Sequence, residues 1–430
     1  MDDAAVGSAG PTSAPASSTR PARAQEPAGA GGRPRDAGRW RDVARAANLL
    51  DAAGRVAPTV FAQMSALAVA TGSINLGQGF PDTDGPASLL EDAVTAIRSG
   101  VNQYPPGRGV PELRRAIADH QHRFYGLEYD PQTQVLATAG ATEGIAAALL
   151  ALCGPGDEVV VLEPYYDAYA ACIELAGASR RTVRLRFPGY ELEPGALAAA
   201  VGPRTRMILL NSPHNPTGHV LTAAELAEVA AVAVEHDLLV VTDEVYEHLV
   251  FDGRHHVPIA TLPGMSERTL TISSAGKTFS VTGWKIGWVT GPAWLVEAVT
   301  TVKQFLTYVN GAPFQPAVAR ALALPDEVFH SAAARLQFGR DLLTEGLLEA
   351  GFAVSRPGGT YFVVADAAPL GYQDGMAFCL DLPELAGVVA VPVRVFHDDP
   401  EAAASLVRFA VCKRPEVLAE ASRRLRQLRH

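Results

Sequence analysis

The chain has 430 residues, 48% of them apolar and 19% charged, enough to bury a substantial core divided into two or three domains. Its formal net charge of -10 argues against a nucleic-acid partner, which requires a basic face to neutralise phosphates. Cys153, Cys172, Cys379 and Cys412 are scattered with no CxxC pair, so neither a metal site nor a disulfide framework is expected, and no stretch approaches the roughly 18 to 20 uninterrupted apolar residues of a membrane span. With no apolar segment following the N-terminus, the expectation is a cytoplasmic protein without membrane partners.

Met1 to about Arg45 is rich in Ala, Pro, Gly, Ser and Arg and lacks an apolar period, and it reads as a disordered tail. From Pro58 onward short apolar runs alternate with helical patterns, the signature of an α/β architecture. Strands are predicted at Val135–Ala137, Glu158–Leu162, Met207–Leu210, Leu238–Thr242, Thr269–Ile272 and Ile286–Thr290, each closed by a Gly, Pro, Ser or Asp cluster. Further strands are expected at Thr360–Ala365, Val389–Val391 and Ser405–Val411. Residues 46–90 are assigned to the first part of a small domain, 91–316 to a large domain and 317–430 to the rest of the small one. In open α/β sheets ligands sit beyond the carboxyl ends of the strands, so the loops there are the places to search.

Five loops carry polar residues that make chemical sense together. Gly140-Ala141-Thr142-Glu143 is a small-residue turn opening a helical run, where backbone N–H groups can approach an anion; an ordinary helix cap explains it equally well. In Glu163-Pro164-Tyr165-Tyr166-Asp167, Tyr166 can stack on a planar ring or simply pack in the core. Asn211-Ser212-Pro213-His214-Asn215-Pro216-Thr217-Gly218 offers amide donors on a fixed backbone, and turn chemistry alone also accounts for it. Thr242-Asp243-Glu244-Val245-Tyr246 follows a wholly apolar strand, so Asp243 is either an N-cap or a buried carboxylate in need of a cation such as a protonated pyridine nitrogen. Ser273-Ser274-Ala275-Gly276-Lys277 places a lysine among small residues, where a desolvated amine can form an imine; a plain turn with solvated Lys277 and Lys285 is the alternative.

Asn-Pro-Thr-Gly at 215–218, Thr-Asp-Glu-Val-Tyr at 242–246 and Ser-Ala-Gly-Lys-Thr-Phe at 274–279, in this order, resemble the class I/II aminotransferases of the aspartate aminotransferase fold. Asn75-Leu76-Gly77-Gln78-Gly79-Phe80-Pro81-Asp82 and Gly283-Trp284-Lys285-Ile286-Gly287-Trp288 resemble the kynurenine, glutamine and methionine aminotransferase branch. Tyr104-Pro105-Pro106-Gly107 and Gly311-Ala312-Pro313-Phe314-Gln315-Pro316 are similar to actinobacterial N-succinyldiaminopimelate aminotransferases. The resemblance covers about Pro58 to Leu428.

It implies a fold type I α/β protein: a large domain with a mostly parallel seven-stranded sheet between helices, plus a smaller α+β domain. It implies pyridoxal 5'-phosphate as cofactor, held covalently by Lys277, with Asp243 against the ring nitrogen, Tyr246 and Asn215 at the ring oxygen, Asn211 beside them and Tyr166 stacked on the ring. Gly140, Ala141, Thr142, Ser274 and Lys285 fall at the phosphate. Gly79, Asn215 and Arg408 match the binders of a substrate carboxylate, with Phe61, Tyr104, Tyr308 and the stretch Pro392–Pro400 lining the side-chain pocket. Tyr104 and Tyr308 match positions that reach a neighbouring subunit, so a homodimer with shared sites is implied. Lys285 stands where Arg is frequent, Tyr166 where Phe is common, and the stretch Pro392–Pro400 is shorter and more acidic than the branch pattern, with Asp398 and Asp399 in it.

The reaction implied is transfer of an amino group between an amino acid and a 2-oxo acid, 2-oxoglutarate being the expected acceptor, with Lys277 moving the substrate Cα proton. N-succinyl-L,L-diaminopimelate is the donor that the resemblance favours, which would place the protein in lysine biosynthesis. Methionine, glutamine or kynurenine transamination, or β-elimination from cysteine conjugates, are the alternatives on the same scaffold. A transcription regulator built on such a module is disfavoured, because the N-terminal tail is too short for a DNA reader, and a cofactor-binding relic is disfavoured by the complete residue set.

Overall fold

The computed structural model describes residues 38–51 and 53–429. The expected tail lies outside them as far as residue 37. Its last residues need correction, because Arg39–Ala46 is a helix. Eight residues make a marginal helix in water, so docking holds it. Ala44 is buried, and the Arg39 guanidinium donates to the carbonyl of Leu175, 3.1 Å away, near the end of helix Asp167–Ala176. A guanidinium capping orphan carbonyls leaves no apolar period for the sequence to reveal.

From Arg39 onward the chain is one compact unit. A two-residue strand β1 (Ile74–Asn75) is followed by seven that form the central sheet: β2 (Val135–Thr138), β3 (Glu158–Glu163), β4 (Ser179–Arg184), β5 (Thr205–Asn211), β6 (Leu239–Asp243), β7 (Thr269–Ser274) and β8 (Gly287–Thr290). The spatial order is β2-β8-β7-β6-β5-β3-β4. All pairings are parallel except those of β8, which runs antiparallel to both β2 and β7. The expected mostly parallel seven-stranded sheet is therefore present, and all six strands predicted in it are found within a few residues.

The seventh, β4, gives no apolar signal because Ser-Arg-Arg-Thr-Val-Arg is a half-exposed edge strand, and charged side chains on an edge block further pairing. The inner strands are apolar on both faces. Val160, Leu162, Ile208, Leu210 and Val240 point into one core, whereas Val159, Val161, Met207, Leu209 and Val241 point into the other, under the helices Gly140–Leu152, Asp167–Ala176 and Ala293–Lys303.

The remaining strands are β9 (Ala353–Val354), β10 (Phe362–Asp366), β11 (Val388–Val389), β12 (Val391–Pro392) and β13 (Leu406–Ala410). They form an antiparallel sheet in the order β12-β13-β10-β9 and a parallel pair β1-β11. The 25-residue helix Asp326–Ala350 packs with helix Pro415–Leu425 over them. This is the expected smaller α+β part, and pairing of β1 with β11 ties the first segment of the chain to the last third. Val364, Arg408 and Val391 face one another across β10, β13 and β12, which sets an arginine in the middle of an apolar sheet.

Candidate active site

Because β2, β3, β5, β6 and β7 share one direction, their carboxyl ends reach the same edge of the sheet, and the five loops converge there. Between them is a cavity of about 440 Å³, within the size range of small-molecule sites. Its wall includes Phe61, Gly79, Gly140, Ala141, Thr142, Tyr166, Asn215, Asp243, Tyr246, Ser274, Lys277, Lys285 and Arg408. These are thirteen of the residues singled out in the sequence. Asn211 is buried just beneath: its side-chain amide donates to the carbonyl of Asp243 (2.7 Å), while its oxygen accepts from the backbone N–H of Asn215 (2.7 Å), so it joins two of the loops without lining the cavity. The stretch Pro392–Pro400, expected to line the pocket, contributes no residue to this wall, and Tyr104 and Tyr308 also stay off it. They meet edge to face, with ring centroids 5.7 Å apart, and Tyr104 is 82% exposed.

One end of the cavity is built for an anion. Helix Gly140–Leu152 begins there, and the first turn of a helix leaves backbone N–H groups free. Glu143 anchors the turn by accepting from the N–H of Ala139 (2.6 Å). The pairing of Thr138 with Gly287 and of Ser274 with Gly287 places β2, β8 and β7 on a single rung at this point. Lys285, just before β8, has a φ of 54°, and Gly140 a φ of 76°. Their conformations bring the Lys285 ammonium so close that a β-carbon on Gly140 would lie 3.1 Å from it, and one on Gly287 would lie 2.6 Å from the Gly140 carbonyl carbon. Only glycine allows this approach.

On the floor is Asp243, at the end of β6 and nearly inaccessible to solvent. Burial pushes its carboxyl up to about 6, opposed chiefly by the Tyr169 hydroxyl, which donates to Oδ2 at 2.7 Å, and by Lys277. Sequence reasoning missed Tyr169. Its signal was available, since three residues after Tyr166 on helix Asp167–Ala176 it stands on the same face, and the two rings are 5.7 Å apart. Lys277 lies on the short helical turn Ala275–Thr278, with Nζ 6.0 Å from the ring centre of Tyr246 and 5.7 Å from that of Tyr361. Tyr361 and Phe362, at the entry to β10, were also missed. Tyr361 donates to the carbonyl of Gly79 at 2.6 Å and packs against Tyr246, 5.2 Å between centroids.

The other end holds Arg408. It is 2% exposed, with Phe362, Phe396 and Phe61 around the guanidinium at 3.9, 4.7 and 5.5 Å. Its Nη1 donates to Asn215 Oδ1 (3.0 Å) and Nη2 to the carbonyl of Gly77 (3.3 Å), whereas Nε has no partner. Among the described residues no carboxylate forms an ion pair with it, although Asp167 on the same wall attracts it from farther off, and burial lowers its pKa to about 10. A buried cation without a close ion pair is costly, and ring contacts offset only part of the cost. A guanidinium without an ion pair on the wall of an open cavity is suited to a ligand anion.

The aminotransferase class I and II family profile matches residues 71–425. The chain belongs to that family. It is 55% identical over 380 residues to the probable N-succinyldiaminopimelate aminotransferase of Mycobacterium tuberculosis, a match that covers 86% of this chain and 96% of the relative. The solved structure of N-succinyldiaminopimelate aminotransferase from that organism superposes with a TM-score of 0.84, covering 86% of this chain and 97% of the other. The methionine aminotransferase of Escherichia coli is 38% identical over 370 residues, covering 86% and 96%.

The chain is thus an aminotransferase that depends on pyridoxal 5'-phosphate and acts on amino acids and 2-oxo acids. The donor set fits that cofactor. An anion cradle, a buried carboxylate able to pair with a ring nitrogen and an amine nearby border one cavity, and a second anion place lies at its far end. No helix among the described residues is long and apolar enough to cross a membrane.

Proposed function

We propose that this aminotransferase takes the amino group of N-succinyl-L,L-diaminopimelate and passes it to 2-oxoglutarate, as a cytoplasmic homodimer serving lysine biosynthesis. The observation that carries the reading of the site is the buried Arg408 guanidinium, without an ion-pair partner among the described residues, on the wall of the cavity that Lys277 and Asp243 also line. Arginine presents a planar fork that pairs both oxygens of a carboxylate, so Arg408, with Asn215 and Gly79 beside it, would hold the α-carboxylate of donor and acceptor in turn. The relative that shares 55% of its residues with this chain supports the choice of donor.

Lys277 would hold the cofactor covalently and, once released by the incoming amine, its Nζ would take the proton from the substrate Cα. Pyridoxal phosphate supplies the electron sink for the pair that the Cα–H bond leaves behind. Asp243 would remain ionised against the ring nitrogen, because a cation at its carboxylate opposes the desolvation that now raises its pKa. Tyr246 and Asn215 would donate to the ring oxygen, and Tyr166 would cover one ring face. Gly140, Ala141, Thr142, Ser274 and the Lys285 ammonium would surround the phosphate, and Phe61 would line the side-chain pocket. The exposure of Tyr104 (82%) and Tyr308 (42%), whose rings meet, supports their reaching a second subunit.

The test is a half-reaction series with the purified holoenzyme. Absorbance changes on mixing with N-succinyl-L,L-diaminopimelate, methionine, glutamine, kynurenine and a cysteine conjugate should show the first to be consumed fastest per unit concentration. Preference for any other donor overturns the substrate assignment, and release of pyruvate and ammonia from the conjugate without an oxo acid would identify β-elimination.

A further inference from the structure

The segment Val393–Asp399 reaches the active site through Phe396 and is fastened by several of its other residues. Phe396 is fully buried, with its ring centre 4.7 Å from the Arg408 guanidinium carbon and 5.9 Å from that of Phe61, so it packs against the guanidinium from outside the cavity wall. The segment itself is a 3-10 turn, Val393–Phe396, that leaves strand β12, with Val393 and Phe396 buried and Arg394 paired with Asp374 and Glu401. Its far end is fixed by a polar cluster at the edge of the central sheet. Arg180, on β4, grips Asp398 with Nε at 2.8 Å from Oδ1 and 3.0 Å from Oδ2, and with Nη2 at 2.6 Å from Oδ1. The Tyr165 hydroxyl donates to the same carboxylate. The backbone N–H of Asp398 donates to Glu163 Oε1 (2.7 Å), and that of Tyr165 donates to the carbonyl of Phe396 (3.0 Å).

Glu163 is the centre of the cluster. It also accepts from Arg184 Nε (3.0 Å), and His397 Nδ1 lies 3.4 Å from its Oε2. Burial would raise its carboxyl, yet these donors together hold it below the ordinary range. Arg184 reaches onward to Asp399 at 3.3 Å. The acidic pair that sets this stretch apart in the sequence is therefore matched by two arginines of an edge strand, and Tyr165, which bonds both Phe396 and Asp398, is the neighbour of Tyr166 on the cavity wall.

We propose that Asp398 and Arg180 are positioning residues for substrate binding: their ion pair latches the Val393–Asp399 segment to the sheet, so that Phe396 keeps water from the Arg408 guanidinium. A carboxylate binds such a shielded fork more strongly than a hydrated one, because the surrounding dielectric is lower. Neither residue touches Lys277 or Asp243, so the proton step is untouched. The proposal rests on the reading of Arg408 as the carboxylate binder.

The experiment uses the holoenzyme and compares Asp398→Asn, Arg180→Met, the double variant and Arg408→Gln. Asp398→Asn and Arg180→Met should each raise KM for both the amino donor and the oxo acid about fivefold, with kcat within about twofold and an unchanged cofactor absorbance spectrum. The double variant should be no worse than either single one, since both remove the same latch. Wild-type KM in both single variants, or strictly multiplicative effects in the double variant, overturns the latch. A fall in kcat with an altered spectrum overturns it too, by showing a general structural role. If Arg408→Gln leaves KM unchanged, the carboxylate reading itself falls. If Arg408→Gln raises KM while the latch variants do not, only the latch is lost.

Discussion

Changing Tyr169 to Phe removes one oxygen atom and leaves the ring against Tyr166, so it isolates what the hydroxyl does for Asp243. That hydroxyl donates at 2.7 Å to a carboxylate which, like itself, is buried. Hydrogen bonds to charged acceptors contribute about 1.5 to 3 kcal/mol, and a tenfold change in an equilibrium is about 1.4 kcal/mol. The variant should therefore disfavour ionised Asp243 by about ten- to a hundredfold relative to its protonated form. In the cofactor-free wild type, with the carboxyl pushed up to about 6, roughly nine-tenths of Asp243 is ionised at pH 7. In Tyr169→Phe half or less would be. A ring nitrogen that pairs with the ionised carboxylate then binds less well at neutral pH. Titration of the cofactor-free protein with pyridoxal phosphate, followed by absorbance from pH 5.5 to 8.5, measures this. Wild-type affinity should fall as the pH drops through about 6. The variant's fall should begin at least about one pH unit higher, with the two curves closing at the alkaline end. Curves that share the same acidic limb would refute the role given to Tyr169 and, with it, the account of how a buried Asp243 stays charged.

Lys277→Ala should lower turnover by at least about 10²- to 10⁴-fold, the usual contribution of a positioned proton-transfer group, and borohydride treatment followed by mass spectrometry should find cofactor on the Lys277 peptide of the wild type alone. Label elsewhere would displace Lys277 from its role. Gly287→Ala places a β-carbon 2.6 Å from the backbone of Gly140, which cannot yield as a side chain would, so cofactor affinity in equilibrium dialysis should weaken at least about tenfold. Glu247, fully buried and bonded to Ser273, has its carboxyl raised by burial from an ordinary value of 4.5 to about 7. The folded state therefore prefers the protonated acid. The stability this provides is complete below about pH 4.5 and is lost as the pH rises through 7, a swing of about 3 kcal/mol. Glu247→Gln removes the titration, so the melting temperature of the variant relative to wild type should climb from pH 5 to pH 8, and a difference independent of pH would contradict this.

The loops were legible because their chemistry is local. Asp243 after four apolar residues, or Lys277 among Ser, Ala and Gly, announces a strand end meeting a helix, and the parallel sheet then gathers such ends at one edge. What stayed hidden depends on contacts distant in the chain. Tyr361 and Phe362 belong to the site only because β10 and β13 pair and bring them beside Arg408 and Gly79. Strand β4 was hidden since its side chains answer to Asp398 and Glu158 instead of to a core. The helix Arg39–Ala46 was hidden since its anchor is a guanidinium on backbone carbonyls of another helix.

The reversed strand β8 has a consequence for how this scaffold can vary. Since it enters from the catalytic edge, Thr138, Gly287 and Ser274 are neighbours on three strands, and their alignment is counted from the turn that contains Lys285. A single residue inserted between Lys285 and Gly287 would exchange the inward and outward sides of β8, burying what now faces its neighbours' helices in the opposite layer and taking the ammonium away from the start of helix Gly140–Leu152. A length change there should be fatal to cofactor retention.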